Sequence, residues 1–252
     1  MSKLPRVTLL FWIMKIAATT LGETAGDLVS MTLKVGYAVS SLVLIGLFFV
    51  SLVTQLRSRR YHPWLYWTVI LSTSTAGTTM SDYMDRTLGL GYAKGALILA
   101  GILAAIFVYW RVSAHSFSIQ HIKTFKGEVL YWTAILFSNT LGTALGDFLA
   151  DNSGLGFAGG ALLIAGLLAL TAFAMRSTRI SKTLLFWMAF VLTRPFGATM
   201  GDVLTKSTAK GGLNFGTIGS SSVLGAILVM LILYTTMYHN KETSAVAQGE
   251  LA

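Results

Sequence analysis

The sequence predicts an all-α polytopic membrane helix bundle of about eight transmembrane helices, laid out as four tandem helical hairpins. Three observations carry that prediction. Hydrophobic residues fill 54% of the 252 positions and charged residues only 12%, with a mean hydropathy of +0.68, whereas an ordinary soluble domain is about 25% charged. Long apolar stretches alternate with short basic clusters along the whole chain. One pattern of residues also recurs four times.

The recurring pattern opens on an aromatic segment holding Trp12, Trp67, Trp132 or Trp187. Each tryptophan is followed 15 residues later by an aspartate: Asp27, Asp82, Asp147 and Asp202. Five residues before each aspartate stands Gly22, Gly77, Gly142 or Gly197, and directly before it a small residue, Gly26, Ser81, Gly146 or Gly201. A second apolar run follows, starting at Gly36-Tyr37, Gly91-Tyr92, Gly156-Phe157 and, after a short insertion, Asn214-Phe215. Each run is about 20 residues, the length that crosses a hydrocarbon core. The predicted spans are 5–31, 37–56, 64–85, 91–110, 128–150, 157–175, 183–205 and 215–238. The hairpin repeats then occupy 1–60, 61–122, 123–180 and 181–240, with 241–252 as a cytoplasmic tail.

With two spans per repeat, all four units point the same way. The side of the termini holds twelve bases (Lys3, Arg6, Arg57, Arg59, Arg60, Arg111, Lys123, Lys126, Arg176, Arg179, Lys182 and Lys241), the opposite side five (Lys34, Arg86, Lys94, Lys206 and Lys210). The positive-inside rule therefore places both termini of this multi-pass protein in the cytoplasm. The same rule accounts for the net charge of +9 without nucleic acid as a partner. The apolar segment after Lys3 and Arg6 runs past Asp27 without a small-residue cleavage site, so it reads as the first span rather than a signal peptide. The lipid bilayer is the implied partner, and a homo-oligomer is compatible with the pattern. With no cysteine, disulfides, zinc knuckles and thiolate chemistry are excluded.

Fifteen residues of helix rise about 22 Å, so a tryptophan at the inner aromatic belt leaves its aspartate short of the outer interface. A carboxylate at that depth must face protein or water. Positions four, seven and eight before each aspartate share its face of the helix. They are Glu23, Thr20 and Thr19; Thr78, Thr75 and Ser74; Thr143, Thr140 and Asn139; and, in the fourth unit, Ala198, Pro195 and Arg194. Three helices thus carry an oxygen-rich stripe, and the glycines lie on an adjacent face suited to close helix approach. The competing reading is of helix-end carboxylates near the outer mouth, solvated or paired with the five bases on that side, with Asp85 and Asp151 as ordinary loop charges. Lys15, three residues past Trp12, is placed to snorkel inward. Arg194 lies too deep for that, so it is expected to pair with a carboxylate of another unit.

Gathered around one axis, these carboxylates must hold protons, a cation or paired bases. Carboxylate, hydroxyl and amide oxygens form a hard donor set for Mn²⁺, Mg²⁺, Ca²⁺, Na⁺ or protons. The candidate metal ligands are Asp27, Asp82, Asp147, Asp202, Glu23, Thr78, Thr143 and Asn139, with Arg194 and Lys15 as charge partners. Met80 and Met200, two residues before their aspartates, read first as packing residues; a thioether ligand there would tilt the set toward Mn²⁺ rather than Mg²⁺. The leading expectation is a secondary transporter of a hard cation coupled to protons, with no enzymatic activity, no catalytic residues and no bound cofactor. The alternatives are an organic-cation exporter and a non-transporting structural or sensory membrane protein. An intramembrane aspartyl protease is disfavoured: Leu145-Gly146-Asp147 supplies half of its motif, but neither Tyr-Asp nor Pro-Ala-Leu occurs.

The fourfold element, seen as LGETAGD, AGTTMSD, LGTALGD and FGATMGD, resembles a family of bacterial membrane-anchored proteins built from a repeated domain of unknown function. The resemblance covers nearly the whole chain and implies an inner-membrane protein of about eight spans. It implies no substrate. One further likeness is local: the Glu-x-x-Gly-Asp of Glu23–Asp27 is loosely similar to the Glu-x-Gly-Asp motif of manganese and calcium cation/proton exchangers. The spacing differs by one residue, and Leu28-Val29 stands where that motif continues with a basic and a hydroxyl residue.

Overall fold

In the computed structural model, which describes residues 4–114, 122 and 124–247, every long element is helical. Lys3, Lys123 and the last five residues of the expected tail lie outside the described residues. The helices are α1 (Leu9–Asp27), α2 (Tyr37–Arg57), α3 (Pro63–Asp82), α4 (Tyr92–Ala114), α5 (Phe125–Asp147), α6 (Gly156–Ser177), α7 (Lys182–Thr205) and α8 (Gly216–Ala247). Their starts carry ordinary signals: Thr8 and Thr124 accept from the backbone N–H three residues on, and Pro63 opens α3, where its missing donor costs nothing.

The odd-numbered helices form a closed inner ring, α1 against α3, α3 against α5, α5 against α7 and α7 back against α1. The even-numbered helices form an outer ring, and each packs chiefly on the next unit rather than on its own: α2 on α3, α4 on α5, α6 on α7 and α8 on α1. The repeat of the sequence is therefore not a self-packed hairpin. A single unit would leave both helices without their main partner, so closure needs all four.

Among the described residues, five helices are long and apolar enough to cross a membrane: α2, α4, α6, α7 and α8. Only 28% of the apolar window of α2, α4 and α6, and 17% of that of α8, is buried, so the outer ring presents leucine, valine and phenylalanine to the lipid. The remaining inner helices fall short in hydropathy because threonine, serine and carboxylates dilute them. Those polar residues face inward, shielded by the outer ring, as the bilayer requires.

Two expectations need correction. Trp67, Trp132 and Trp187 are not interfacial anchors but are 1%, 0% and 6% exposed. Each receives the aromatic residue that precedes the tryptophan of the unit before: Phe11 on Trp67, Tyr66 on Trp132, Tyr131 on Trp187 and Phe186 on Trp12, all with centroids 5.4–6.0 Å apart. This cycle closes one end of the inner ring, and a Tyr66–Tyr131 hydroxyl bond of 2.8 Å ties it across. The second correction concerns register in the fourth unit. Left-handed backbone recurs at Lys34 and Gly36, Gly89 and Gly91, Gly154 and Gly156, and Asn214 and Gly216. Gly216-Thr217, not Asn214-Phe215, is therefore equivalent to Gly36-Tyr37. Glycine suits these turns because it lacks the Cβ that makes positive φ costly.

Candidate functional site

The repeat glycines set the inner ring's register. A Cβ on Gly22 would lie 2.2 Å from Ser74, on Gly77 2.9 Å from the Thr140 backbone and 3.0 Å from Asn139, on Gly142 2.2 Å from Arg194, and on Gly197 2.5 Å from Thr19. Each glycine thus receives the residue eight before the aspartate of the following unit, and the fourth closes on the first. One turn on, Gly26 receives Thr78, Gly146 receives Ala198 and Gly201 receives Glu23. This cyclic contact stacks equivalent positions in layers.

From the aromatic end, the first layer above the tryptophans is Lys15, Ile70, Ile135 and Phe190, each 0% exposed. Thr19, Ser74, Asn139 and Arg194 follow, also fully buried. The next layer is Glu23, Thr78, Thr143 and Ala198, and the last is the four aspartates. Successive layers are four residues apart, a rise of about 6 Å. The bundle therefore holds a buried column, apolar at one end and carboxylate-lined at the other.

Arg194 dominates its middle. Its Nη2 donates to Glu23 Oε2 at 2.9 Å, to Thr78 Oγ1 at 2.6 Å and to Thr143 Oγ1 at 2.5 Å, and reaches the Ser74 carbonyl at 3.5 Å. Both threonine hydroxyls also lie 3.3 Å from Glu23 Oε2, to which they donate. One cationic nitrogen thus sits among oxygens from α1, α3 and α5. Pro195, directly after it, has no N–H for the Val191 carbonyl, which weakens α7 at that turn.

At the carboxylate end the aspartates pair through Arg86 and Lys206, two of the five bases that the competing reading offered as their partners. Arg86 joins neighbouring units, with Nε 2.9 Å from Asp82 and Nη2 3.4 Å from Asp147. Lys206 does the same for the other two, 2.8 Å from Asp27 and 3.0 Å from Asp202. Burial works against both charges, but Asp82 and Asp147 hold Arg86 above the ordinary arginine range, and Asp202 and Asp27 hold Lys206 above that of lysine. Each base stands four residues after its own unit's aspartate, where Met31 and Asp151 stand in units one and three. The ring is thus fourfold in packing but twofold in charge. The signal was present in the sequence: a base at aspartate plus four lies on the same helix face, one turn on.

The carboxylates converge as well as pair. Glu23, Asp147 and Asp202 offer oxygens that all lie within 4.8 Å of one another, and all three residues are buried. Asp27 and Asp82 lie outside this group, held by Lys206 and Arg86. Asn139 sits two layers below the aspartates, with its Nδ2 donating to Thr73 at 2.9 Å, and is not part of the group. Lys15 does not snorkel: neighbouring helices enclose it, and its Nζ lies 4.1 Å over the Phe190 ring with no hydrogen-bond acceptor among the described residues. Asp85 is no ordinary loop charge either, since it is 5% exposed and accepts from Ser81 at 3.3 Å. Asp151 is exposed.

Fold and site together define a class: an all-helical, repeat-built membrane protein whose inner ring encloses an ionisable column. The family-level comparison agrees with the internal repeat. The family described as Repeat of Unknown Function (DUF347) matches at residues 10–61, 65–116, 130–181 and 185–240, and the chain belongs to it. No curated protein and no solved structure shows a significant match.

Proposed function

We propose that the chain is a secondary transporter of a hard cation, Mn²⁺ or a similar divalent ion, coupled to protons through the carboxylates of the inner ring. The observation that carries this reading is the convergence of Glu23, Asp147 and Asp202 within 4.8 Å, three units contributing one carboxylate each. Thr78 and Thr143 add hydroxyl oxygens beside Glu23. Such an all-oxygen set suits hard divalent cations. Arg194 and Lys206 supply the compensating charge while the site holds no ion. An arriving cation takes over that role and frees Arg194, and α7 yields at Pro195. When the cation leaves, protons or the two bases return to the carboxylates. In this reading the chain is multi-pass in a bacterial inner membrane, with both termini cytoplasmic, and is not an enzyme.

The test is flux in proteoliposomes, with Mn²⁺, Mg²⁺, Ca²⁺ and Na⁺ screened against an imposed pH gradient. We expect proton-coupled flux of a divalent ion, abolished by Asp147→Asn, Asp202→Asn and Glu23→Gln. Tight, correctly filled vesicles that pass none of these cations would overturn the reading.

A further inference from the structure

We propose that the space bounded by Asp82, Asp147, Tyr37 and Tyr92 is a recognition site for an organic cation of the guanidinium class, and that Arg86 is its tethered stand-in. All three guanidinium nitrogens of Arg86 have a separate partner. Nε meets Asp82 at 2.9 Å, Nη2 meets Asp147 at 3.4 Å, and Nη1 donates to the Tyr37 hydroxyl at 3.2 Å. The ring centroids of Tyr37 and Tyr92 lie 5.9 and 5.6 Å from its central carbon, within the range of cation–π attraction. Two carboxylates that are 2% and 3% exposed and two aromatic faces form a receptor for a flat, delocalised cation with several N–H donors.

The pseudo-twofold mate of this cage shows that the chemistry is specific. Lys206 fills the Asp27–Asp202 pair, but the positions equivalent to Tyr37 and Tyr92 are Phe157 and Thr217. The hydroxyl that takes a third guanidinium nitrogen is missing there, and so is one of the two rings. A compact ammonium fits that pair and a planar guanidinium fits the first, as the two resident bases illustrate.

Arg86 is also placed to be displaced. Its side chain is 31% exposed, and it stands on the π-helical turn Tyr83–Thr87, which recurs at Leu28–Thr32 and Phe148–Asn152, just before Gly89 and Gly91 in left-handed backbone. A solute guanidinium from the carboxylate side competes with a tethered one for the same partners, and binding swings Arg86 outward. The site shares Asp147 with the transport reading but does not rest on it, because recognition is read without flux.

The experiment is equilibrium binding of methylguanidinium to the full chain in lipid nanodiscs, with methylammonium and sodium chloride at equal concentration as comparisons. Removing the tethered competitor in Arg86→Ala should tighten methylguanidinium binding about tenfold or more over wild type. In that background Asp147→Asn should abolish the gain, and Tyr92→Leu should reduce it by about threefold. Lys206→Met should gain affinity for methylammonium but not for methylguanidinium. Arg86→Gln, which keeps most of the side-chain volume, replaces Arg86→Ala if the latter fails to fold. The proposal is overturned if neither Arg86 variant prefers methylguanidinium to methylammonium, or if the gain survives both Asp147→Asn and Tyr92→Leu.

Discussion

Glycine means opposite things in the two rings. On the inner helices Gly22, Gly77, Gly142 and Gly197 each hold a neighbour's side chain or backbone where a Cβ would stand. On the outer helices Gly46, Gly101, Gly166 and Gly225 have nothing within 4 Å of that point. The inner glycines let four polar helices close around a column; these four outer ones meet open space, unlike Gly95 and Gly160 of the same ring, which pack on Asp85 and on Thr199 and Leu149. In a bilayer, helix association relies on close packing and polar contacts rather than on hydrophobic burial. Specificity therefore concentrates in the inner ring, and the outer ring has mainly to be apolar. Substitutions in the two rings should differ in size and in sign.

The largest effect should come from Arg194→Met. Arg194 is fully buried and its partner Glu23 nearly so, and breaking such a pair leaves a carboxylate with no counter-charge, at a cost of about 3–5 kcal/mol. Thermal unfolding in detergent should show a large loss of stability. The double variant Arg194→Met/Glu23→Gln should recover much of it, because no charge is then left alone. A double variant as unstable as the single one would mean that Arg194 acts through packing on Gly142 and not through its charge.

Next come the seam glycines. Gly22→Ala and Gly142→Ala place a methyl 2.2 Å from Ser74 and from Arg194, and overpacking of this kind costs roughly 1–3 kcal/mol. Gly142→Ala should be the worse of the two for function, since it also pushes Arg194 away from Glu23. If both variants melt with wild type, the seam is looser than the contacts imply and the inner ring can breathe.

The sequence made some of this legible. The four aspartates, the stripe of Glu23, Thr78 and Thr143, and the packing role of the glycines all follow from spacing on a helix. What it did not give was order around the ring. Nothing local states that Gly22 receives Ser74 or that α2 packs on α3, because such contacts belong to closure of the whole. Arg86 and Lys206 were two of five bases offered as partners for the aspartates, with nothing to say which of the five would pair. Their position relative to each aspartate was the unused signal. The tryptophans were assigned to an interface from residue type alone. Their burial follows instead from the aromatic residue directly before each one, which reaches the next unit's tryptophan.

Lys15 sharpens the contrast with Arg194. Both are fully buried bases of the inner ring, but Arg194 has Glu23 and two hydroxyls while the Lys15 ammonium has a phenylalanine face and no acceptor. A buried base without a partner is costly. Lys15→Met keeps the length of the stem and should raise stability by about 1 kcal/mol, the reverse of the effect at Arg194. A loss of flux in a stabilised Lys15→Met variant would mark the lysine as functional, since structure alone gives no reason to keep it.

The smallest effects belong to the outer glycines. Gly46→Ala and Gly101→Ala meet open space, and replacing a mid-helix glycine removes unfolded-chain freedom for a gain of roughly 0.5–1 kcal/mol. A slightly raised melting temperature with unchanged flux would confirm that these faces meet only lipid. Destabilisation at either position would instead mean that the outer ring is packed against something the isolated chain does not contain. A second copy of the chain is then the first candidate, and cross-linking through a cysteine introduced beside Gly46 would identify it directly, because the natural sequence contains no cysteine to compete for the reaction.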